Sequence, residues 1–538
     1  MRYFKTTLLL YIIIILFSAY ACSDMSSFDN GKEVKDNDLF SFNTTNLKQA
    51  EHHTKNIKSK SIVSDVRIAE ITSRASSFFK KKQVFNFNVS PTEKFQINTT
   101  QITENSNGTT SLVGEVVGSH GSANLVLTHK GITGTLRVND QFYRISPTAD
   151  DLTAISKIDH TKFPQKHPKL PIGLKADSLS QTNFSSIKPK ASPSISITTQ
   201  SSFAPNGGPT LGVLVLYTQA VDNSTSDITG LIQLSIDETN QTYANSNLTQ
   251  NVYLAHSEQT SYNESGRSFK NHTDALDNPN DGMMDNVASL RNQYNADKVI
   301  LLVTGPVNYC GRANSINATK NSAFAAVRYD CSTSPSYALP HEIGHLLGAR
   351  HNRYQDNSNT PYKYGHGYVD PNNNWHTIMA YSEKCGGCPT VPYWSNPDIN
   401  YPPTGQAMGT STYEDNARAI SNRKYEFRDF YTLDNPDNVH VTNWSSPGQH
   451  PIISWDLVSG QSVTHKLLRC VSSSGNCVGM NDFYTIFQSS SSTSYQDQVY
   501  NVKLPCFNRD DHAYYRVVAQ NHTGLSYTEP PEDVCVEM

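Results

Sequence analysis

Three histidines and a glutamate lie between residues 341 and 351, at spacings suited to binding one metal ion. His341 and His345 are four positions apart, so on a helix both rings lie on one face. Glu342 stands beside them with a carboxylate that can take a proton from water activated by the metal. Gly348 gives the backbone freedom to leave the helix, so that His351 can return as a third ligand. Three nitrogen ligands leave one position of a tetrahedral zinc ion open, as in catalytic rather than structural sites.

The full pattern His-Glu-x-x-His-x-x-Gly-x-x-His resembles the extended zinc motif of the metzincin metallopeptidases. A bare His-Glu-x-x-His could also occur on an ordinary amphipathic helix, with its histidines exposed or capping. Metzincins carry a methionine turn downstream of the third histidine, and residues 377–381 (Thr-Ile-Met-Ala-Tyr) fit that description. The resemblance implies that Met379 lies beneath the metal, whereas alone it would be interpreted as a residue that fills the core.

Tyr381 stands two residues after Met379. In the astacin and serralysin branches of the metzincins, a tyrosine at this spacing binds zinc or steadies the transition state. A packed core or rim tyrosine is the ordinary alternative, because a phenol donates to an oxyanion only if it points into the cleft. We expect His366 and His376 to be surface or structural residues, since three histidines complete the ligand set. One catalytic Zn²⁺ is therefore expected, and calcium sites cannot be read from the sequence.

The elements that must position these residues alternate between strand and helix. Apolar runs predict strands at residues 211–217, 251–255 and 299–303, and helical spacing predicts helices at residues 228–244 and 284–294. This alternation favours an α/β fold with a largely parallel sheet.

Residues 323–329 form a further predicted strand before the zinc helix. By resemblance to the metzincins, we expect its backbone to form the upper rim of the cleft and to pair with extended substrate.

Residues 210–432 resemble the bacterial reprolysin-type (adamalysin-like) metzincins over nearly their whole length. The resemblance implies a zinc-dependent endopeptidase that hydrolyses peptide bonds in proteins or peptides. Two departures are visible: Pro340 precedes the first histidine, where a small residue is usual, and Asn352 follows the third, where aspartate is common. Neither removes a ligand, but Asn352 puts in doubt a carboxylate network around the metal.

Residues 1–22 have the form of a signal peptide, with a short basic start and a continuous apolar run at residues 8–17. Cleavage could be ordinary, or Cys22 could be the lipid-bearing first residue of a bacterial lipoprotein. Of the nine cysteines, only Cys22 precedes Cys310, so its loss or lipidation leaves an even set suited to an oxidising compartment. We favour lipidation, and expect an exported protein in the extracellular space or on the cell surface.

Residues 23–184 are expected to form a pro-region. The stretch before about residue 80 is weakly patterned, and period-two alternation after it predicts a small β domain. Ile158-Asp159 and Phe163-Pro164 resemble features of the pro-domains of bacterial secreted metzincins, which implies a zymogen. A freestanding β adhesion module is the alternative. No cysteine is available there to silence the zinc, so a carboxylate such as Asp159 is a candidate, against the plainer interpretation of a surface residue in a turn.

Residues 185–209 are rich in Ser, Thr, Pro and Gly, which predicts a linker suited to activating cleavage. Residues 435–538 are expected to form an all-β sandwich that resembles a fibronectin type III domain, on the basis of Trp455 and the strand at residues 514–521. We expect this unit to act as a spacer rather than in attachment.

The remaining cysteines are expected to form disulfides. Cys310 and Cys331 bracket the segment before the zinc helix, and Cys385-Gly-Gly-Cys388 follows the methionine turn. A C-x-x-C pair could instead be a redox or second zinc pair. In the C-terminal unit, local closure would join Cys470 with Cys477 and Cys506 with Cys535.

The length of 538 residues predicts two to four folded units. A net charge of -4 without an extended basic patch argues against nucleic acid as a partner. No second apolar run reaches membrane length, so contact with a membrane would come only through an N-terminal lipid. The oligomeric state cannot be read. An adhesive surface protein built on an inactive protease fold is the alternative function, which the intact histidine motif argues against.

Overall fold

A computed structural model describes residues 37–42, 47–148, 151–164, 209–372, 374–428, 430, 439–442, 448–457, 464–472, 483–499, 501–502, 511–520, 525–527 and 532–537. The expected signal segment with Cys22 and nearly all of the expected linker lie outside these residues. In the described part of the chain, no helix is long and apolar enough to cross a membrane. Separate sheets make this a multidomain, β-rich protein.

The first sheet lies in the described part of residues 37–164 and is antiparallel throughout. Its strands are β1 Phe40–Ser41, β2 Val63–Ile71, β3 Val84–Asn88, β4 Lys94–Glu104, β5 Thr110–Val116, β6 Gly121–Thr128, β7 Gly131–Val138, β8 Gln141–Pro147 and β9 Thr153–Ile158. They lie in the order β1-β2-β9-β8-β7-β6-β5-β4-β3. Helices α1 (Leu47–Lys58) and α2 (Ala75–Phe78) accompany the sheet.

Although the sequence before residue 80 is weakly patterned, residues 47–80 contain α1, α2 and β2. Strand β2 pairs with β9 and buries Val66 and Ile68. Charged Asp65 and Arg67 alternate with these apolar residues. The mean hydropathy of the segment is therefore low, although one face of the strand is apolar.

The second sheet lies within residues 209–328. Its strands are β10 Thr210–Thr218, β11 Asn251–Thr260, β12 Lys298–Val303, β13 Gly311–Ala313 and β14 Phe324–Arg328. The order is β11-β10-β12-β14-β13, with parallel pairing except between β13 and β14. Every residue of β12 is buried, as expected for a parallel strand covered on both faces.

Helices cover this sheet on both faces, so it has a hydrophobic core on each side. In chain order they are α3 Gln219–Asp222, α4 Ile228–Asn245, α5 Phe269–Asp277, α6 Val287–Tyr294, α7 Ala338–Leu346 and α8 Asn416–Arg428. A two-stranded ribbon of β15 Asn396–Asn400 and β16 Ala407–Met408 follows α7 along the chain.

The expectation that residues 323–329 pair with substrate was wrong. Strand β14 lies between β12 and β13, so neighbouring strands of the protein occupy both of its sides. Among the described residues, β13 is the outer strand on this side of the sheet. The three residues of β13, Gly-Arg-Ala, are too few for alternation to reveal a strand.

Helix α4 joins the first sheet to the second. The carboxylate of its N-cap residue and two carboxylates within the helix accept hydrogen bonds from hydroxyl groups on β5, β6 and β7. The pairs are Thr128 and Thr133 with Asp227 (3.1 and 2.7 Å), Ser111 with Asp237 (2.5 Å), and Thr135 with Glu238. These four hydrogen bonds fix the first sheet on one face of α4.

Two arginines of the first sheet donate hydrogen bonds to backbone carbonyls in the part of the chain that follows the second sheet. The Arg144 guanidinium donates to Ser334 O at 3.0 and 2.8 Å and to Asp330 O at 2.6 Å. Arg137 donates to Thr390 O at 3.3 Å. These bonds tie the first sheet to segments on either side of α7.

The described C-terminal residues form two antiparallel sheets. Their strands are β17 His440–Thr442, β18 Ile452–Ser454, β19 Thr464–Ser472, β20 Tyr484–Ser489, β21 Ser494–Gln496, β22 Asn501–Val502, β23 Asp511–Gln520, β24 Leu525–Tyr527 and β25 Glu532–Glu537. One sheet is β17-β18-β21 and the other β20-β19-β23-β25-β22, with β24 beside β23. Trp455 is buried in their shared core with Ile453 and Tyr515. The likeness to a fibronectin type III domain stays a prediction.

Candidate metal centre

Helix α7 carries the first two histidines, and all nine of its residues are buried. Tyr337, directly before it, has a left-handed backbone with φ of 56°. Pro340 is the third residue of the helix, where a backbone N–H would have no partner within the helix. This position explains why the proline noted in the sequence is compatible with the helix.

The three histidine rings converge on one point in the interior. His341 Nε2 lies 3.2 Å from His351 Nε2, and His345 Nε2 lies 2.9 Å from the same atom. All three side chains are almost fully buried. Ligands of a tetrahedral zinc ion at about 2.0–2.1 Å lie roughly 3.3 Å from one another. The spacing of the three nitrogens is therefore close to that of a zinc-binding triad.

Backbone carbonyls fix the orientation of two rings. His341 Nδ1–H donates to Ile378 O at 2.9 Å, and His345 Nδ1–H donates to Ala349 O at 2.9 Å. A carbonyl oxygen can only accept, so each proton lies on Nδ1 and each Nε2 lone pair faces the common point. Outer hydrogen bonds of this kind orient the histidines of metal sites. The donor set therefore fits a zinc ion.

The chain leaves α7 in a tight turn that returns His351 to the other two histidines. Gly348 has φ of +91°, a conformation that a residue with a Cβ rarely adopts. Its N–H donates to His345 O at 2.9 Å, and Ala349 N–H donates to Gly344 O at 2.9 Å. Arg350 then pairs with Gly365 through its own N–H at 2.7 Å, which directs the next residue back toward the helix.

Glu342 is fully buried on the same helix, directly against the outer strand β13. A Cβ placed on Gly311 would come within 2.6 Å of Glu342 Oε1 and 2.9 Å of its Cγ. Only glycine therefore allows the strand to approach the carboxylate this closely. Sequence reasoning missed Gly311, because an isolated glycine in a short strand carries no signal of what lies opposite it.

Met379 packs against helix α7. A Cβ on Gly344 would meet the Met379 Sδ at 2.8 Å and the Trp394 ring at 2.5 Å. Both side chains are fully buried, and Trp394 Nε1–H donates to Thr242 Oγ1 at 3.0 Å. The glycine between the two histidines thus lets a sulfur and an indole pack directly beneath the helix.

Tyr381 lies beside the third histidine. Its ring centroid is 4.5 Å from that of His351, and the side chain is 4% exposed. Its backbone N–H donates to Asn352 Oδ1 at 3.2 Å. The asparagine that departs from the expected aspartate therefore holds the methionine turn next to His351 through its amide oxygen.

His366 and His376 lie apart from the converging nitrogens and are both buried rather than at the surface. His366 Nδ1–H donates to His351 O at 2.7 Å, so this ring supports the backbone of the third histidine. Burial lowers the pKa of His366 below its usual value. His376 contacts Thr390 and Cys388 instead.

The N-terminal region reaches the same area. After β9, Asp159 caps a short 3-10 helix, His160–Lys162, and accepts hydrogen bonds from Thr161 rather than pointing to the histidines. Phe163 packs against the core that contains Met379, and Pro164 O lies 3.8 Å from Cys310 Sγ. A cavity of about 120 Å³ there is lined by Phe163, Pro164, Ser336, His376, Tyr381 and Thr390.

Two disulfides lie near the site. Cys310 is joined to Cys331, with their Cα atoms 5.5 Å apart, and Cys385 is joined to Cys388. Cys470 is also disulfide-bonded. The expectation that the cysteines form disulfides is confirmed for these five.

Known proteins match the chain over this part. The family model Reprolysin_5, described as Metallo-peptidase family M12, matches residues 210–395. A peptidyl-Asp metalloendopeptidase of Xanthomonas campestris pv. campestris is 38% identical over 304 residues, which are 56% of this chain and 68% of the relative. A protein of the same name from Stenotrophomonas maltophilia is 36% identical over 310 residues, again 56% of this chain and 68% of the relative. The chain thus belongs to the reprolysin-like M12 metallopeptidases and is a metalloendopeptidase.

Proposed function

We propose that this protein is a zinc endopeptidase in which His341, His345 and His351 hold the ion and Glu342 is the catalytic base. The convergence of three Nε2 atoms, two of them on rings that backbone carbonyls orient, beside a buried glutamate carries this proposal. A bound zinc ion would supply Lewis acidity, which polarises the scissile carbonyl and lowers the pKa of a water molecule.

The protein's own groups would move the protons. Glu342 takes a proton from the attacking water and later gives it to the leaving amine. The side chain of Glu342 is fully buried, so its carboxylate is shielded from bulk water. We assign to Tyr381, whose ring centroid lies 4.5 Å from that of His351, the role of steadying the oxyanion through its hydroxyl.

The test compares wild type with Glu342→Gln on casein after the chain has been cut between residues 164 and 209 and the first sheet removed, together with the zinc content of each protein. Glutamine keeps the shape but cannot take a proton, so we expect kcat/KM to fall by roughly 100- to 10,000-fold. Zinc content should stay unchanged, and a chelator should abolish wild-type activity. Equal cleavage by both proteins would refute the assigned role of Glu342. For Tyr381→Phe, a fall in kcat at unchanged KM would support the oxyanion role, and an unchanged kcat would leave a packing role.

We further propose that cleavage occurs next to aspartate in the substrate, because the relatives above are named as peptidyl-Asp metalloendopeptidases. Matched peptides that differ only by Asp or Asn at one position provide the test. We expect cleavage beside aspartate to be faster by at least about 10-fold, the effect of one well-placed polar contact. Equal rates would refute the preference without affecting the assignment of the metal ligands.

We also propose that the protein is exported as a zymogen, with the first sheet as its pro-domain. Support comes from Phe163 and Pro164, which lie against the core and the cavity beside Tyr381. Full-length protein should cleave casein slowly until the chain is cut between residues 164 and 209 and the first sheet is released. Mass spectrometry of the mature N-terminus would report both that cut and lipidation of Cys22. Full activity of the uncut protein would contradict the zymogen proposal.

A further inference from the structure

A second cluster of metal-binding side chain types lies outside the histidine triad. His376, Cys385 and Cys388 each offer one ligand atom, and these atoms lie within 4.8 Å of one another. His376 is 3% exposed, whereas both cysteines are partly exposed. None of the three takes part in the mechanism proposed above.

The two cysteines form a disulfide whose Cα atoms are 5.6 Å apart. Gly386 and Gly387 between them have φ of +68° and +98°, and a Cβ added at either would meet no atom within 4 Å. The turn therefore faces open space, where a small reductant can reach the sulfurs. A disulfide that closes so short a loop removes little entropy from the unfolded chain, so its opening costs the fold little.

The protein fixes the histidine ring beside these sulfurs. His376 Nδ1 lies 3.5 Å from Cys388 Sγ, and its Nε2 lies 3.0 Å from Thr390 Oγ1. Its backbone is held on both sides, by His376 N–H donating to Pro389 O at 3.1 Å and Val391 N–H donating to His376 O at 2.8 Å. In the tautomer that donates from Nε2 to Thr390 Oγ1, the ring directs the Nδ1 lone pair at the sulfurs. This is the arrangement that outer hydrogen bonds give to metal-binding histidines.

We propose that reduction of the Cys385–Cys388 disulfide turns this cluster into a second metal site, which binds a soft divalent ion such as Zn²⁺ through His376 and two thiolates. A dithiol reductant supplies the two electrons, becomes a disulfide itself and leaves two cysteine thiols. Binding of the ion then releases two protons to solvent as the thiols become thiolates. Thiolate and imidazole ligands suit zinc at about 2.3 and 2.0–2.1 Å, and the flexible glycine pair lets the sulfurs separate to that spacing.

The site would act on the cleft through a shared wall. His376, Cys388 and Thr390 line the same cavity as Tyr381. An ion here would stiffen the segment that follows the methionine turn, so reducing conditions would alter the peptidase next to its proposed oxyanion donor.

Cobalt titration of the full-length chain tests the proposal, with a water-soluble phosphine as reductant because phosphines compete little for the metal. Cobalt bound to thiolates absorbs in the near ultraviolet by charge transfer, whereas cobalt held by three histidines does not. We expect the reduced chain to bind one more equivalent than the oxidised chain and to gain this band. His345→Ala, which removes a ligand of the first site, should keep the band, so the outcome does not depend on peptidase activity.

Variants distinguish this cluster from the other cysteines. The double variant Cys385→Ser/Cys388→Ser changes partly exposed residues, so it should fold normally and lose the band and the extra equivalent. His376→Gln should weaken cobalt binding at this site by at least about 10-fold, with folding checked by circular dichroism. The proposal fails if reduction adds no metal, or if the double cysteine variant keeps the band.

Discussion

At the scale of single residues, spacing predicted the histidine triad and the neighbouring glutamate. Three ligands and a turn lie within residues 341–351, so local helix geometry is enough to foresee that they meet. Gly311 could not be foreseen in the same way, because its partner Glu342 lies 31 positions further on and on a different element. Gly311 matters because β13 and the Glu342 side chain approach each other closely in the folded protein.

Gly311→Ala should impair catalysis without loss of the metal. The added Cβ would lie 2.6 Å from Glu342 Oε1, so the carboxylate or the strand must move. We expect kcat/KM to fall by at least about 10-fold, or about 1.4 kcal/mol of transition-state stabilisation. Zinc content measured on the same sample is the control, since the three histidines are not displaced. An unchanged kcat/KM would show that strand β13 can shift away from Glu342 without effect on catalysis.

Asn352 offers a second residue-scale prediction. Its Oδ1 accepts from the buried Tyr381 N–H, so Asn352→Ala leaves that donor without this acceptor. We expect a loss of about 1–3 kcal/mol in unfolding free energy and a lower kcat. Asn352→Asp keeps an oxygen in place and should restore both properties. If the alanine and aspartate variants behave alike in denaturation and kinetics, the hydrogen bond is not what holds the turn.

At the scale of elements, the parallel strands and α4 could be predicted because their apolar patterns are long. Helix α5 was missed, although Ser268 and Asn271 form a capping box at its start. The box carries asparagine in place of the usual glutamate or glutamine, and nine residues give little periodicity to detect. The antiparallel position of β13 depends on pairing with β14 and has no local signal.

Helix α4 should make the stability of the whole chain depend on pH. Burial raises the pKa of Glu238 from 4.5 to about 7 and that of Asp237 from 3.8 to about 6. A carboxyl whose pKa is raised in the folded state stabilises the fold fully below its unfolded pKa. That contribution is lost as pH rises through the folded value. The contribution of these two groups should therefore decline between about pH 4 and pH 7.

Glu238→Gln tests this directly, since glutamine resembles the protonated side chain and can still accept from Ser334 N–H. Thermal denaturation should show the variant gaining stability over wild type as pH rises toward and above neutrality, with the two proteins similar in mild acid. The exposed Glu51→Gln serves as the matched control and should follow wild type. A constant difference between variant and wild type across pH would contradict the role of Glu238.

At the scale of the whole molecule, Arg144 should govern whether the first sheet stays attached after the chain is cut. Its guanidinium donates three hydrogen bonds to the carbonyls of Ser334 and Asp330. Once the chain is cut between residues 164 and 209, the wild-type halves should co-elute in gel filtration. Arg144→Ala should weaken their association by at least about 100-fold, since each charged hydrogen bond contributes about 1.5–3 kcal/mol.

The matched control for that experiment is Arg67→Ala. Arg67 lies on the same sheet, with a side chain that is 55% exposed, in an ion pair with Asp65. Exposed pairs contribute little to stability, so its halves should stay together. Separation of both variants, or of neither, would show that the interface does not depend on Arg144.

The hydrogen bonds between the hydroxyls of the first sheet and the carboxylates of α4 also have a consequence for the order of folding. Each hydroxyl and the carboxylate that accepts from it lie 94 to 126 residues apart. Contacts so distant in the chain form slowly, because a long loop must close before they stabilise anything. The first sheet leaves the ribosome earlier, and its strands β3 to β9 pair as hairpins between chain neighbours, so it can fold before α4 has been synthesised. The growing helix then meets a finished surface of hydroxyl groups, which acts as a template for the unit that carries the histidines.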